Sequence, residues 1–471
     1  MDPKGNHKAH APAVFDRPLY EKYDVPGPRY TSYPTAPHFH AGVDAEAYAA
    51  AARRSNDDPV PRPLSLYVHI PFCHSLCYYC ACNKIITRHR EKAEIYLHYL
   101  ERELALQAAL FDRDRPLRQL HLGGGTPTFM DDRQLWRLMQ AISRHFSLAP
   151  PREREFSIEI DPRAVGPGTM QVLGGLGFNR MSLGVQDFDP AVQAAVNRVQ
   201  PAELVQGVIE QGRAAGMASL SLDLIYGLPH QSVATFDATL DEVLSIRPDR
   251  LSVYNYAHLP ERVKAQRLIA RETLPSPQGK LAILEHTVGR LTDAGYVAIG
   301  LDHFALPGSD LAQAMDNNTL QRNFQGYSTH AECDLVAVGA TAIGNIGAHY
   351  SQNASHLRSY YALLDSGQIP VVRGCELGFD DRLRRAVIER LMCRTWVDAR
   401  EIERLFGIHF SEYFEPELKA LAPLEADGLL QRHSAGIRVL PTGRLLLRNI
   451  AMVFDRYLHQ HAAQVRYSRT V

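Results

Sequence analysis

The chain has 471 residues, enough for two or three domains or for one large barrel with an appendage. Apolar residues make up 45% and charged residues 22%, which excludes a disordered, collagenous or coiled-coil chain. Lys and Arg number 51 against 52 Asp and Glu, and the net charge of −1 argues against a dedicated nucleic-acid or polyanion binder.

The first residues, MDPKGNHKAHAPAVFDRP, hold no apolar leader, so a secretion signal is not expected. No stretch reaches the ~18 uninterrupted apolar residues of a membrane-spanning helix. A cytoplasmic location is expected. Residues 53–63, RRSNDDPVPRP, read as a linker or an exposed loop.

Six short apolar, β-branched runs follow, at 64–70, 117–125, 156–160, 180–185, 219–227 and 250–256. Helical patterns lie between them. Residues 91–110 form a long one, 131–146 opens on acidic residues, and 201–216 runs from Pro to Gly. The alternation predicts parallel strands joined by right-handed crossovers. Such strands are expected to be hydrophobic on both faces. Polar residues recur near their C-terminal ends: Glu159, Asp161, Gln186, Asp187, Asp223, Asn255 and His258. In parallel α/β barrels that rim carries the chemistry. Polar side chains inside a barrel are costly unless they bind something or one another.

After about residue 305 the pattern gives way to Gly- and Asn-rich segments, and 366–381 reads as a boundary. A helix is expected over 381–396. Residues 418–454 read as helix, short β-hairpin and helix, as in a small winged-helix-like module. The organisation expected is an N-terminal extension over 1–60, a catalytic domain over 61–375 and a C-terminal helical domain over 376–471.

Four of the seven cysteines, Cys73, Cys77, Cys80 and Cys82, fall within ten positions directly after the first strand. A tight cysteine cluster in a cytosolic chain points to metal binding or catalysis rather than to a disulfide. Zinc sites generally pair two ligand blocks across a longer loop, and no second block follows at such a distance. The C-x3-C-x2-C spacing also differs from the bacterial ferredoxin pattern. Three thiolates on a short loop suit three corners of a [4Fe–4S] cubane, with the fourth iron open to a small molecule. Zinc or free thiols remain the alternatives. Cys333 reads as a core thiol, and His69 as a partner of the cluster or as a core histidine.

The C-x3-C-x2-C spacing, with Tyr79 before the third cysteine, resembles the radical SAM signature. GGGTPT (123–128) is similar to the glycine motif that contacts S-adenosylmethionine. Further segments are YDVPGPRYTSYPTA (23–36), LYVHIPFCHSLCYYCACNK (66–84), SIEIDPR (157–163), GFNRMSLGVQDF (177–188), DLIYGLP (223–229), LSVYNYAHLP (251–260) and RNFQGY (322–327). Together they resemble the oxygen-independent coproporphyrinogen III oxidase family, from about Tyr23 to the terminal SRTV.

The resemblance implies an α/β fold: a partial (β/α)6 radical SAM barrel with an N-terminal extension and a mostly α-helical C-terminal domain. It implies Cys73, Cys77 and Cys80 as ligands of a [4Fe–4S] cluster, with Cys82 nearby and not a ligand. It implies Tyr67, Tyr79, Gly124, Gly125, Thr126, Glu159, Gln186, Arg198, Asp223, Ala257 and Ile343 as contacts of S-adenosylmethionine, two molecules of which share one site. Tyr67, Glu159 and Arg198 are the expected catalytic residues. By chemistry, Glu159 or Asp223 suits ribose hydroxyls or an ammonium, and Arg198 suits a carboxylate.

The implied activity is anaerobic oxidative decarboxylation of two propionates of coproporphyrinogen III to vinyl groups, giving protoporphyrinogen IX in haem biosynthesis. It proceeds through a 5′-deoxyadenosyl radical, and the cofactor supplies that chemistry. Arg29 and Arg322 are candidates for the substrate carboxylates by motif position. The resemblance further implies a monomer, a reductant protein such as flavodoxin or ferredoxin, and neither nucleic acid nor membrane as partner. A haem-binding or haem-chaperone paralogue is the alternative. Such paralogues usually lack the fourth cysteine and the YTSYPTA segment and carry another motif at RNFQGY, and this chain follows the oxidase on all three counts.

Overall fold

The computed structural model describes residues 13–460 together with Tyr467 and Arg469. The residues before Ala13, and the terminal SRTV apart from Arg469, lie outside the described residues. Six parallel strands follow one another in space as they do in sequence. They are β1 (Leu64–Ile70), β2 (Pro116–Gly124), β3 (Glu155–Ile160), β4 (Arg180–Gln186), β5 (Ser219–Tyr226) and β6 (Arg250–Asn255). Helices return the chain between them: α1 (Glu91–Ala108), α2 (Asp132–His145), α3 (Thr169–Gly175), α4 (Ala202–Ala214) and α5 (Val233–Ile246). α2 starts where it does because Asp131 and Gln134 form a reciprocal capping box, with bonds of 2.8 and 3.1 Å.

The expectation of strands hydrophobic on both faces is corrected. On β5 the residues Leu220, Leu222 and Leu224 are buried, while Ser219, Ser221 and Asp223 on the other face line the barrel interior. Ser65, Ser157, Ser182 and Ser252 extend this polar lining around the barrel. Only the outer face packs against helices, so the strands alternate with period two as half-apolar strands do.

The sheet is also longer than six strands. Beyond β6 it continues through β8 (His303–Ala305) to β7 (Val297–Gly300), both antiparallel. Beyond β1 it takes β9 (Asp334–Val338), parallel to β1, and then antiparallel β10 (Ile343–Ile346), β11 (His349–Asn353) and β12 (Val371–Glu376). Arg115, entering β2, is buried against Asp334 of β9 at 2.7 Å and ties the first strands to this extension. A hairpin, Gln321–Asn323 with Gly326–Ser328, lies on the interior lined by β1 and β6.

The C-terminal part is mostly helical. Its first helix spans Phe379–Cys393, shifted by two or three residues from the expected 381–396. The expected hairpin is present, as Leu430–His433 and Gly436–Val439. A third short strand, Trp396–Asp398, joins it and was not anticipated. The N-terminal segment is bound to this part. Arg448 donates to the carbonyls of Pro28 and Gly27 at 3.1 and 2.7 Å, and Tyr30 donates to buried Asp455 at 3.0 Å.

Candidate metal and cofactor site

The cysteine loop leaves β1 and folds over the C-terminal ends of β2 to β5. Cys73, Cys77, Cys80 and Cys82 line one cavity of about 260 Å³. Gly124, Gly125 and Thr126, Glu159, Gln186, Arg198 and Asp223 line the same cavity. Residues up to 150 positions apart are thus brought to one rim, the end of the barrel where the sequence placed them.

The glycine run is explained by close approach. A Cβ on Gly125 would lie 2.8 Å from the backbone of Pro71 and Phe72, and Gly124 holds a positive φ of 113°. The loop is fastened there by the N–H of Gly125 on the Ile70 carbonyl (2.8 Å) and of Thr126 on that of Phe72 (2.9 Å). Thr126 Oγ1 donates to Cys73 Sγ at 3.5 Å.

Charge at the site is arranged around Cys77. Arg163 Nη2 and Arg198 Nη1 each lie 3.5 Å from its Sγ. Both guanidinium groups also hold Asp161, Arg163 at 2.7 Å and Arg198 at 3.2 Å. Burial pushes the Asp161 carboxyl up, but Arg198 and Arg163 outweigh it and hold it down at about 2. Arg198 is fixed by two bonds to the Gly184 carbonyl, at 3.0 and 2.6 Å. The Cys80 thiol is lowered by a hydrogen bond from Cys82 and by Lys84, whereas burial raises Cys73. Three thiols on one wall and two cations behind them fit a cluster carried by thiolates. Cations so placed offset the charge of the thiolates.

On the opposite wall Glu159 accepts from the Gly124 N–H at 3.0 Å and meets His121 Nε2 at 3.2 Å. Burial raises its carboxyl, and the bond and charge of His121 with the Gly124 N–H bring it below the ordinary value. Asp223 behaves oppositely. Burial and the Glu159 charge raise it to about 6, against bonds from Ser252 and Ser182. Tyr67 stacks on His121 and its hydroxyl meets His69 Nδ1 at 3.0 Å. Burial lowers the pKa of His69, and its Nε2 reaches the Asn83 carbonyl at 3.2 Å.

Tyr79 lines the same cavity and packs against an apolar cluster of Val192, Val196 and Tyr256. Several expected residues lie elsewhere. Ala257 does not line the cavity but is tied to Tyr79, because buried Gln266 donates to both carbonyls at 3.1 Å. Ile343 sits on β10, packed against the cluster of Phe39 and Tyr350. Asp187 is turned away into a buried network with Gln231 and Thr239. Arg29 is paired with Asp302 at 2.8 Å, and Arg322 donates to the Arg29 carbonyl at 3.2 Å. Cys333 is buried beside His330 and Glu332, remote from the loop. Sequence reasoning missed Arg163 and Gln266. Arg163 lay in the quoted SIEIDPR segment, where an Arg two residues after an Asp is a signal for a local pair. Gln266 carries no such signal.

Residues 67–243 match the radical SAM superfamily, and 379–446 match the HemN C-terminal domain. The oxygen-independent coproporphyrinogen III oxidase of Pseudomonas aeruginosa is 49% identical over 97% of this chain and 99% of its own length. The enzyme of the same name from Escherichia coli is 47% identical over 97% of this chain and 98% of its own.

This chain belongs to the oxygen-independent coproporphyrinogen III oxidase family.

The solved structure of the Escherichia coli coproporphyrinogen III oxidase HemN, described as a radical SAM enzyme, superposes with a TM-score of 0.89. It covers 95% of this chain and all of that one, at 45% identity. The fold is therefore the radical SAM fold of that family, and the chain is a radical SAM oxidoreductase. Membership of that superfamily makes a [4Fe–4S] cluster and S-adenosylmethionine its cofactors. Among the described residues no helix is long and apolar enough to cross a membrane.

Proposed function

We propose that this oxidase removes two propionate carboxylates of coproporphyrinogen III anaerobically, leaves vinyl groups and yields protoporphyrinogen IX. The observation that carries the reading is the shared cavity of cysteine loop, glycine run and rim carboxylates, in a chain nearly half identical to enzymes of that name. When bound, the cluster and S-adenosylmethionine supply one electron and a 5′-deoxyadenosyl radical for taking a hydrogen atom.

Cys73, Cys77 and Cys80 are the proposed iron ligands, and Cys82 stands beside them without ligating. The cavity-lining backbone of Gly124 and Gly125, with Thr126, receives the methionine end of S-adenosylmethionine. Glu159 and Asp223 accept from its ammonium or ribose hydroxyls, and Arg198 takes a carboxylate, with Tyr67 and Gln186 completing the wall. Tyr79, Ala257 and Ile343 remain proposed contacts, as does the sharing of the site by two such molecules. The chain's work is positioning and exclusion of water, since hydrogen-atom abstraction needs no side-chain base.

The residues before 61 and after 375 are read as covers of the barrel that carries this cavity, and the Arg448 and Tyr30 contacts between them support that division. A monomer reduced by a flavodoxin or ferredoxin is the proposed working state. A thiol-ligated cluster suits a reducing compartment, and the proposed location is the cytoplasm.

Anaerobic reconstitution with iron and sulfide tests the cluster assignment. The expected result is [4Fe–4S] absorbance in the wild type and its loss in Cys77→Ala. Equal iron, sulfide and absorbance in both proteins would contradict it.

A further inference from the structure

The barrel has a second polar region, at the end away from the cysteine loop. Arg180 opens β4 and Arg250 opens β6. Between them β5 carries Ser219 in register with Arg180 and Ser221 in register with Arg250. All four line a cavity of about 160 Å³ that also reaches Glu159 and Asp223. Glu155 on this floor and Glu159 at the rim are four strand positions apart, roughly 13 Å along β3.

The two arginines are not equivalent. Arg180 is ion-paired with Glu155 at 2.9 Å and with Asp310. Glu155 is further occupied by Gln119 at 3.0 Å and Thr329 at 2.7 Å. Arg250 has no ion pair among the described residues. Its Nε and Nη2 are both shielded from solvent and donate to nothing there. Arg250 is half-buried as a residue, but donors shielded from solvent and left without a partner are costly, and an anion placed against them removes that cost.

The idle atoms specify what binds. Nε and Nη2 are the two parallel donors along one edge of the guanidinium, and that edge matches the two oxygens of a carboxylate. Arg180 and Arg250 are matched in number by Glu155 and Asp310, but both carboxylates are paired with Arg180, which leaves Arg250 without an ion pair among the described residues. The cavity has room for on the order of five waters at ~30 Å³ each. That suits a carboxylate on a short stem and is far too small for a tetrapyrrole ring.

We propose that the barrel floor is a binding site for one carboxylate, held bidentately by Arg250 between the serines of β5 and β6. The carboxylate is either a propionate arm of the substrate or a free small acid. Only the first source rests on the family reading above.

Free propionate is the probe. The melting temperature of the reconstituted full-length protein is followed as sodium propionate replaces chloride at constant ionic strength. The expected result is a saturable rise in the wild type that disappears in Arg250→Gln. Ser221→Val fills the cavity beside Arg250 and keeps the charge, so it weakens the half-saturating concentration at least tenfold. It also stands in if Arg250→Gln fails to fold. An unchanged response in the folded variants, or no saturable rise in the wild type, overturns the proposal.

Inhibition of coproporphyrinogen turnover by propionate separates the sources. Competition assigns the site to a substrate arm, and noncompetitive inhibition at the same half-saturating concentration assigns it to a free acid. The melting readout stands even if coproporphyrinogen is not turned over, so failure of this proposal and failure of the family reading are distinguishable.

Discussion

The carboxylate of Glu159 accepts the backbone N–H of Gly124 at 3.0 Å. This bond locks the rim of β3 to the glycine run that ends β2, on the wall that faces the cysteine loop. Hydrogen bonds to a charged group contribute about 1.5–3 kcal/mol. Glu159→Gln is therefore expected to slow S-adenosylmethionine-dependent turnover by roughly ten- to a hundredfold while the protein still takes up iron. Steady-state kinetics with iron analysis checks both halves of this expectation.

Gly124 itself tolerates no side chain. Its φ is 113°, and a Cβ would stand 2.6 Å from the ring of His69. Backbone strain of this kind costs about 1–3 kcal/mol, and displacing His69 also breaks its contact with Tyr67. Gly124→Ala should lower the melting temperature and weaken S-adenosylmethionine binding together, as calorimetry and equilibrium binding would show.

Gln266 acts on the site at one remove. It bridges the carbonyls of Tyr79 and Ala257, two bonds of about 1 kcal/mol each. Gln266→Ala should raise KM for S-adenosylmethionine by roughly tenfold and change kcat far less. An equal fall in kcat with KM unmoved would assign Gln266 a different role.

Glu155 sets an acid limit on the barrel. Burial raises its carboxyl, and Arg180 and Arg250 overcompensate and hold it at about 2, below its ordinary value of 4.5. A depressed carboxyl contributes stability above the unfolded pKa and loses it as pH falls through the folded one. The window is therefore about pH 4.5 down to about 2, and the contribution is on the order of 3 kcal/mol. Urea unfolding should show this loss in the wild type and a flatter profile in Glu155→Gln.

The buried Arg115–Asp334 pair at 2.7 Å offers a comparison remote from the chemistry. Removing one partner of a buried pair costs about 3–5 kcal/mol. Arg115→Ala should lower the urea midpoint strongly and leave the cluster absorbance per folded molecule unchanged.

The six parallel strands were legible because each is a short apolar run bounded by helical patterns. Their polar inner face was legible only in part. Asp223 stood out in SLSLDLIY, but its serines passed as neutral members of a strand until they were seen around one cavity. The cysteine loop announced itself by spacing alone. Strands β10 and β11 did not, because segments of four and five residues are too short to give a periodicity to read. Gln266 and the Arg163–Cys77 contact were hidden for another reason. Each acts through a neighbour distant in sequence, and only the folded backbone defines that neighbour.

The most direct measurement is the product formed from coproporphyrinogen III without oxygen, with S-adenosylmethionine, a low-potential reductant and the cluster-loaded protein. The account predicts protoporphyrinogen IX, carrying two vinyl groups in place of two propionates, from the wild type and none from Cys77→Ala. An unaltered tetrapyrrole from protein with a full [4Fe–4S] complement, or binding of haem without vinyl formation, would contradict it.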